Sequence, residues 1–238
     1  RMDGINLVRK KFLMHIFILF ISLPGRLNFL NMARYGIYSE KTYRDHFQES
    51  FAFFEFNRLL IEQTCSGVRI IVGDSSFIPK SGKHTPSVGK FWNGCASKAM
   101  SGLEISELAV VDVDKNTAFH LECLQTPGDL KDDESRIDFY AKQIVDRAAE
   151  LKQLADYFVY DGAAAKKKFV DAIADHTELD MVSKLRKDAN LRYVYTGPRR
   201  PGRGCPKRYD GKMDCRNPDL SRFKICHCDA DVTMYTAI

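Results

Sequence analysis

The sequence predicts an α/β fold in which a mixed sheet is flanked by helices. Residues 68–72 form a short apolar, β-branched run that leads into Gly73 and Asp74. Residues 157–160 form a second run, aromatic and β-branched, that leads into Asp161. Short runs that are apolar at successive positions are typical of strands inside a sheet covered on both faces. Each acid is therefore predicted at the carboxyl end of a buried strand, at the edge of a cleft, although Asp74 also suits a turn cap.

Five further elements complete the predicted order. In chain order they are a strand over residues 107–113, a strand over 117–124, a helix from Asp132 or Asp133 to Leu154, a helix over 166–173 and a strand over 179–185. The first two of these strands are joined by residues 114–116, whose composition is typical of a hairpin turn. Asp112 and Asp114 are interpreted as strand-end and turn residues rather than as metal ligands.

This order of elements describes a particular topology. A three-stranded meander, then a crossover helix and a parallel strand, is the arrangement of a ribonuclease-H-like sheet. In that sheet the first and fourth strands lie side by side and run parallel. Asp74 and Asp161 are therefore expected to meet at one edge, although they are 87 positions apart.

Two neighbouring carboxylates repel each other unless they share a proton or a cation. Mg²⁺ or Mn²⁺ would relieve that repulsion, with phosphate oxygens and water as the remaining ligands. Two such ions activate a water or a 3′-hydroxyl and stabilise the leaving oxygen in phosphodiester cleavage and transfer. The acid pair therefore predicts metal-dependent chemistry on a phosphodiester.

Charge is distributed unevenly along the chain. The chain has 238 residues, is 45% hydrophobic and carries a formal net charge of +5, so it can bury one large core or two small ones. Residues 1–48 carry eight Lys or Arg against three acids, and residues 195–224 carry nine against three. Basic flanks around an acidic centre suit a protein that grips a polyanion and binds metal at its middle. The alternative is a solvated surface of uneven charge.

The seven cysteines are scattered and odd in number, which favours a reducing cytoplasm over a secreted disulfide framework. Zinc is disfavoured because the chain has no C-x-x-C pair. In addition, the adjacent side chains of Cys226, His227 and Cys228 would point to opposite faces of a strand.

The apolar stretch over residues 12–23 is predicted to be a buried helix that Pro24 ends. It is too short to span a membrane, for which about 20 apolar residues are needed. It resembles the apolar part of a signal peptide, but no small-residue cleavage site follows it, so a signal peptide is the lesser alternative.

Two short helices are predicted next, over residues 29–35 and 40–47, with Gly36 as the C-cap of the first and Ser39 as the N-cap of the second. A helix, a glycine turn and a helix with early basic residues is the arrangement of a helix-turn-helix. The side chains expected to face DNA are Lys41, Thr42 and Arg44. The alternative is an ordinary helical hairpin. An aromatic-rich helix over residues 51–61 is expected to pack rather than react.

Residues 77–94 are predicted to be a loop from their composition. They contain three lysines, one histidine and the only tryptophan of the chain. Basic residues interleaved with aromatic ones beside a carboxylate suit a nucleic-acid backbone and splayed bases. Ser81-Gly82-Lys83 is not a phosphate-binding loop, because Phe77 stands where that motif requires its first glycine.

These motifs together resemble the DDE transposases of bacterial insertion sequences. The resemblance rests on the Gly73–Lys83 stretch, on Tyr160-Asp161 followed by residues 166–170, and on residues 183–189; residues 23–47 also look like that family's DNA-binding part. It covers most of the chain and implies a helical DNA-binding segment over 1–62, a ribonuclease-H-like catalytic core over 63–193 and the start of a basic, β-rich insertion over 194–238.

The resemblance also implies roles for individual residues. Asp74 and Asp161 would be catalytic and would bind Mg²⁺ or Mn²⁺. The phosphate-binding and DNA-binding side chains would be Lys41, Arg44, Lys80, Lys83, His84 and Arg186. The implied partners are double-stranded DNA, as transposon terminal repeats and target, and a second copy of the chain in a synaptic complex, in the bacterial cytoplasm and without a membrane.

One departure from the family concerns its third acid, a Glu on a helix after the insertion. No such helix precedes Ile238, and Glu178 stands before the fifth strand, in the wrong place. The chain therefore looks truncated, and weak metal binding with slight or absent strand cleavage is expected. The alternatives are a catalytically dead DNA-binding remnant, a ribonuclease-H-like nuclease that does not join DNA, and a basic scaffold protein that needs no metal.

Overall fold

The computed structural model describes residues 5–82, 84–130, 134–185, 189–198 and 204–236. The helices are α1 Leu7–Ser22, α2 Phe29–Tyr35, α3 Glu40–Gln48, α4 Phe53–Thr64, α5 Arg136–Val145, α6 Ala148–Leu154 and α7 Lys167–His176. The strands are β1 Arg69–Pro79, β2 Gly89–Asn93, β3 Lys98–Asp112, β4 Thr117–Gln125, β5 Tyr157–Tyr160, β6 Asp180–Ser183, β7 Arg192–Val194, β8 Tyr209–Lys212, β9 Lys224–Cys228 and β10 Thr233–Thr236.

The central sheet has the strand order β2-β3-β1-β5-β6, and β4 pairs with β3 on the same side as β2. Strands β1, β3 and β4 form an antiparallel meander, whereas β5 is parallel to β1 and β6 is parallel to β5. This is the predicted order of a meander, a helical crossover and parallel strands. The predicted fold class, a mixed sheet flanked by helices with ribonuclease-H-like topology, is confirmed.

Two local predictions about this sheet are wrong. Strand β1 does not end at Asp74 but continues to Pro79, which is paired with Gly102 of β3. The stretch predicted as a loop contains the end of β1 and the whole of β2. Pairing with the long strand β3 satisfies the backbone groups of both segments, which overrides a local composition rich in Gly, Pro, Ser and Lys.

The two faces of the sheet are buried to different extents. On the inner face, Ile71, Leu108 and Phe158 are fully buried and belong to the main hydrophobic core with α5, α6 and α7. On the outer face, Tyr157 is 47% exposed and Val182 is 52% exposed. Within the described residues, the sheet is therefore not covered on both faces as expected. Its strands are apolar on both faces, but only the inner face is buried.

The predicted long helix is two helices, α5 and α6, and its predicted start lies outside the described residues. Ser135 begins α5 with a capping box that includes Asp138. The break falls at Arg147, whose N–H bonds to the carbonyl of Ile144 at 3.1 Å instead of continuing the helical pattern. The guanidinium of Arg147 bonds to Glu122 of β4 at 2.9 Å, so the break attaches the helical layer to the sheet.

The N-terminal helices have a small core of their own, formed by Phe12, Ile16, Leu19, Met32 and Tyr43. The helix predicted before Pro24 is α1, and the two helices of the predicted helix-turn-helix are α2 and α3. Across the part of the chain that the structure describes, none of the helices has the length and apolar character that a membrane crossing requires.

Gly36 ends α2 as predicted, but for a different physical reason. Its φ is −99°, so the left-handed conformation that usually favours glycine at this position is not used. A Cβ atom at Gly36 would overlap the hydroxyl of Tyr43 and lie 3.0 Å from Nε2 of His15. Those two groups are hydrogen-bonded to each other at 2.7 Å. Glycine is therefore needed because the turn packs against this hydrogen-bonded pair.

We expect Gly36→Ala to lower the free energy of unfolding by about 1–3 kcal/mol, because the added methyl group overpacks the turn between α2 and α3. Gly94→Ala is the matched control, since nothing lies within 4 Å of a Cβ there. Urea unfolding followed by circular dichroism measures both. Equal stability of the two variants would contradict the packing argument.

Candidate active site

The strand register brings the positions of the two predicted acids side by side. Gly73 of β1 is paired with Tyr160 of β5, which is the last pair of these parallel strands. Asp74, on β1, and Asp161, immediately after the end of β5, directly follow that pair. Since β5 ends there and β1 continues, the edge beside the acids is open. On its other side Asp74 is paired with Glu107 of β3.

Both carboxylates are exposed, and each is oriented by a backbone N–H group. The N–H of Ser75 donates to Oδ1 of Asp74 at 2.8 Å, and the N–H of Ala163 donates to Oδ1 of Asp161 at 2.9 Å. Within the described ranges neither acid forms an ion pair with a basic side chain. Among the described residues, the second carboxylate oxygen of each acid has no hydrogen-bond partner and could bind a cation.

The donor set fits a hard, hydrated cation. Mg²⁺ is commonly bound through one or two carboxylates, with water and substrate phosphate as its other ligands. No group of three or more His, Cys, Asp or Glu side chains that could hold a metal ion occurs among the residues whose structure is described. If such an ion were bound here, Asp74 and Asp161 would be its protein ligands, and the remaining ligands would come from solvent and substrate.

The residues that precede the two acids pack against each other. A Cβ atom at Gly73 would lie 2.6 Å from Cδ2 of Tyr160, so the tyrosine ring occupies the space that the glycine leaves. Tyr160 is 4% exposed, and its ring centroid is 5.3 Å from that of Phe169 on α7. This contact fixes the two strand ends that carry the acids. The sequence indicated the small residue Gly73 before Asp74, but it did not indicate that the ring of Tyr160 packs over that glycine.

A buried polar cluster lies beneath the acids. The hydroxyl of Tyr140 donates to the carboxylate of Glu104, which is 5% exposed. Burial raises the pKa of Tyr160, and the charges of Tyr140, Asp74, Asp161 and Glu104 raise that pKa further. Burial also raises the pKa of Tyr140, to which the hydrogen bond with Glu104 contributes. Both tyrosines therefore stay neutral at pH 7, and both acids lie within electrostatic range of one hydroxyl.

The predicted phosphate-binding residues lie farther from the acids than the sequence indicated. Lys80 and His84 are exposed and follow the end of β1. Because β1 continues past Asp74, Lys80 stands about 20 Å from that acid along the strand. Lys83 and Arg186 lie outside the described residues.

Of the predicted DNA-contacting side chains of α3, Lys41 and Arg44 are exposed but paired within their own helix, and Thr42 is half-buried. Lys41 bonds to Asp45 at 2.7 Å, and Arg44 bonds to Glu40 at 3.0 Å. Thr42 takes part in the N-cap of α3, since its hydroxyl and that of Ser39 are 2.8 Å apart. Exposed ion pairs of this kind contribute little stability, so a phosphate group can replace their carboxylates at small cost.

No protein-family model matches the chain, and no curated protein matches it. Among solved structures it is similar to the Mos1 transposase paired-end complex with left transposon end, at 14% identity and a TM-score of 0.26 over 77% of this chain and 60% of that chain. It is also similar to the Mos1 Strand Transfer Complex, at 13% identity and a TM-score of 0.27 over the same shares of the two chains.

A third similar structure is the Mos1 mariner paired end complex with Mn, at 12% identity and a TM-score of 0.25 over 74% of this chain and 68% of that chain. The chain spans 60% of the length of the first two of these neighbours. Similarity at this level carries no argument about function, which has to come from the site itself.

We expect Tyr160→Phe to raise the free energy of unfolding by about 1 kcal/mol, because the buried hydroxyl of Tyr160 has no hydrogen-bond partner among the described residues. Tyr43→Phe is the matched control. It removes a buried hydroxyl that is bonded to His15 and should lower stability by about 1 kcal/mol. Urea unfolding of both variants gives the comparison. A loss of stability in Tyr160→Phe would show that its hydroxyl is bonded.

Proposed function

We propose that the chain is the DNA-processing part of a DDE-class transposase, which cleaves DNA at insertion-sequence ends and transfers the strands to target DNA with Mg²⁺ or Mn²⁺. The observation that carries the proposal is the register of β1 and β5. It pairs Gly73 with Tyr160 and leaves Asp74 and Asp161 together at an open, exposed edge of the sheet.

In this proposal Asp74 and Asp161 hold the divalent cation through the oxygens that Ser75 and Ala163 do not occupy. A divalent ion held there would supply the acidity that activates an attacking water and the positive charge that stabilises the leaving oxygen. The protein orients the two carboxylates through the two backbone N–H bonds. It also keeps their strand ends together through the contact of Tyr160 with Gly73.

Binding of double-stranded DNA would depend on basic side chains away from the acids. The residues proposed for this role are Lys41 and Arg44 on α3, Lys80 and His84 beyond β1, and Lys83 and Arg186. Neutralising phosphates with such residues releases counterions, so binding should weaken steeply as salt rises. Self-association in a complex with two DNA ends belongs to the same proposal.

A second candidate function is a DNA-binding remnant without catalysis. It is favoured by one observation, namely that no third acidic, His or Cys side chain within the described ranges joins the acid pair closely enough to hold a metal. Two carboxylates alone would bind Mg²⁺ weakly. The third possibility, a ribonuclease-H-like nuclease, would cut DNA without joining it.

The test is nicking of supercoiled plasmid in Mg²⁺ or Mn²⁺. Asp74→Asn and Asp161→Asn should each reduce the nicking rate on the order of 100-fold, because each removes an anionic ligand of the cation that would stabilise the transition state. Asp180→Asn is the matched control. Asp180 is an exposed acid on the same sheet, paired with Tyr157 at the opposite end of the parallel strands, and its removal should leave the rate unchanged.

The outcomes separate the candidate functions. Nicking that survives both acid substitutions would overturn the proposed site. Absence of nicking in the parent protein, with DNA binding that still falls as salt rises, would identify a binding remnant. Nicking without any joined product on a substrate that carries transposon ends would identify a nuclease.

A further inference from the structure

The hairpin formed by β2 and the first part of β3 extends the sheet well beyond the acid pair. Trp92 of β2 is paired with Ala99, and Lys90 is paired with Ser101. Trp92 is 61% exposed, although it is the only tryptophan of the chain and a residue type that is usually well buried. Its cross-strand neighbour is small, so the indole ring is not covered from that side.

The opposite face of this hairpin is firmly attached to the core. Phe91 is fully buried, and the guanidinium of Arg136 lies 4.4 Å from its ring centroid. Arg136 also donates a hydrogen bond to the carbonyl of Lys90. Since side chains alternate between faces along a strand, holding Phe91 inward keeps Trp92 directed outward. The indole is therefore presented on a rigid support.

The exposed indole shares the outer face of the sheet with Asp74. Asp74 is paired with Glu107 of β3, and Trp92 is paired with Ala99, which lies eight residues earlier on the same strand. Positions an even number of residues apart on a strand point to the same face, and eight residues span about 27 Å. Lys90 is exposed and lies two residues from Trp92, on the same face of β2, so it adds positive charge beside the indole.

We propose that Trp92 is a stacking platform for an unpaired base of single-stranded DNA, with Lys90 attracting the neighbouring phosphate. An exposed aromatic ring beside a lysine suits a base in a single strand, because every base offers a face for stacking whatever the sequence. A duplex keeps its bases stacked inside and offers none. The inference rests on the proposed function, because it requires that the chain binds DNA. It adds a binding site that prefers single-stranded DNA and lies about 27 Å from the acids.

Intrinsic fluorescence tests this directly, because every tryptophan photon comes from Trp92. The probes are a 20-nucleotide oligothymidine and a fully paired 20-base-pair duplex, titrated in EDTA so that no cleavage takes place. We expect the single strand to quench the emission and the duplex to leave it nearly unchanged. In parallel, anisotropy of labelled DNA should show a 5- to 100-fold loss of single-strand affinity in Trp92→Ala, about the effect of one stacked base.

Two further variants control the result. Trp92→Phe keeps an aromatic face and should retain most of the single-strand affinity. Phe53→Ala removes an aromatic of α4 that is 58% exposed and should change nothing. Equal single-strand affinity of Trp92→Ala and the parent protein would overturn the platform. Tryptophan emission that does not change when single-stranded DNA is added would also overturn it.

The inference and the proposed function fail separately. Quenching by oligothymidine in the Asp74→Asn variant would support the platform even if the parent protein never nicks DNA. Metal-dependent nicking by a parent protein whose emission does not respond to the single strand would overturn the platform and leave the acid pair in place.

Discussion

The parallel pairing of β1 with β5 is the constraint on which the candidate site depends. Only four residue pairs join these strands, and the last of them is Gly73 with Tyr160. The ring of Tyr160 fills the space over Gly73 and packs on Phe169, so the core of the protein continues up to the residues that carry the acids. A shift of one residue in this register would turn every side chain of β5 to the other face and separate the two carboxylates.

Much of this arrangement could be predicted from the sequence, because it is encoded in local patterns. The two short strands, the hairpin between residues 112 and 117, and the alternation of strands with helices are all visible as runs of residue types. Together they determine which strands are neighbours. The side-by-side positions of Asp74 and Asp161 follow from that order, although their metal-binding role stays a prediction.

The features that could not be predicted depend on contacts between distant residues. The extension of β1 to Pro79 and the existence of β2 require pairing with β3, and nothing in their own composition indicates it. The break at Arg147 is set by its bonds to Glu122 on β4, and Glu104 is buried because Tyr140 bonds to it. A single sequence shows these residues only as ordinary charged or polar positions.

The early end of β5 has a consequence for what can approach the acids. Beyond Gly73, the side of β1 that faced β5 has no strand partner within the described residues, while its other side remains paired with β3 as far as Pro79. Backbone groups on that side are therefore open to whatever occupies the edge. Backbone N–H groups are present whatever the side chains are. An oxygen-rich ligand could therefore accept hydrogen bonds from this edge of β1, and few side-chain substitutions would remove those bonds.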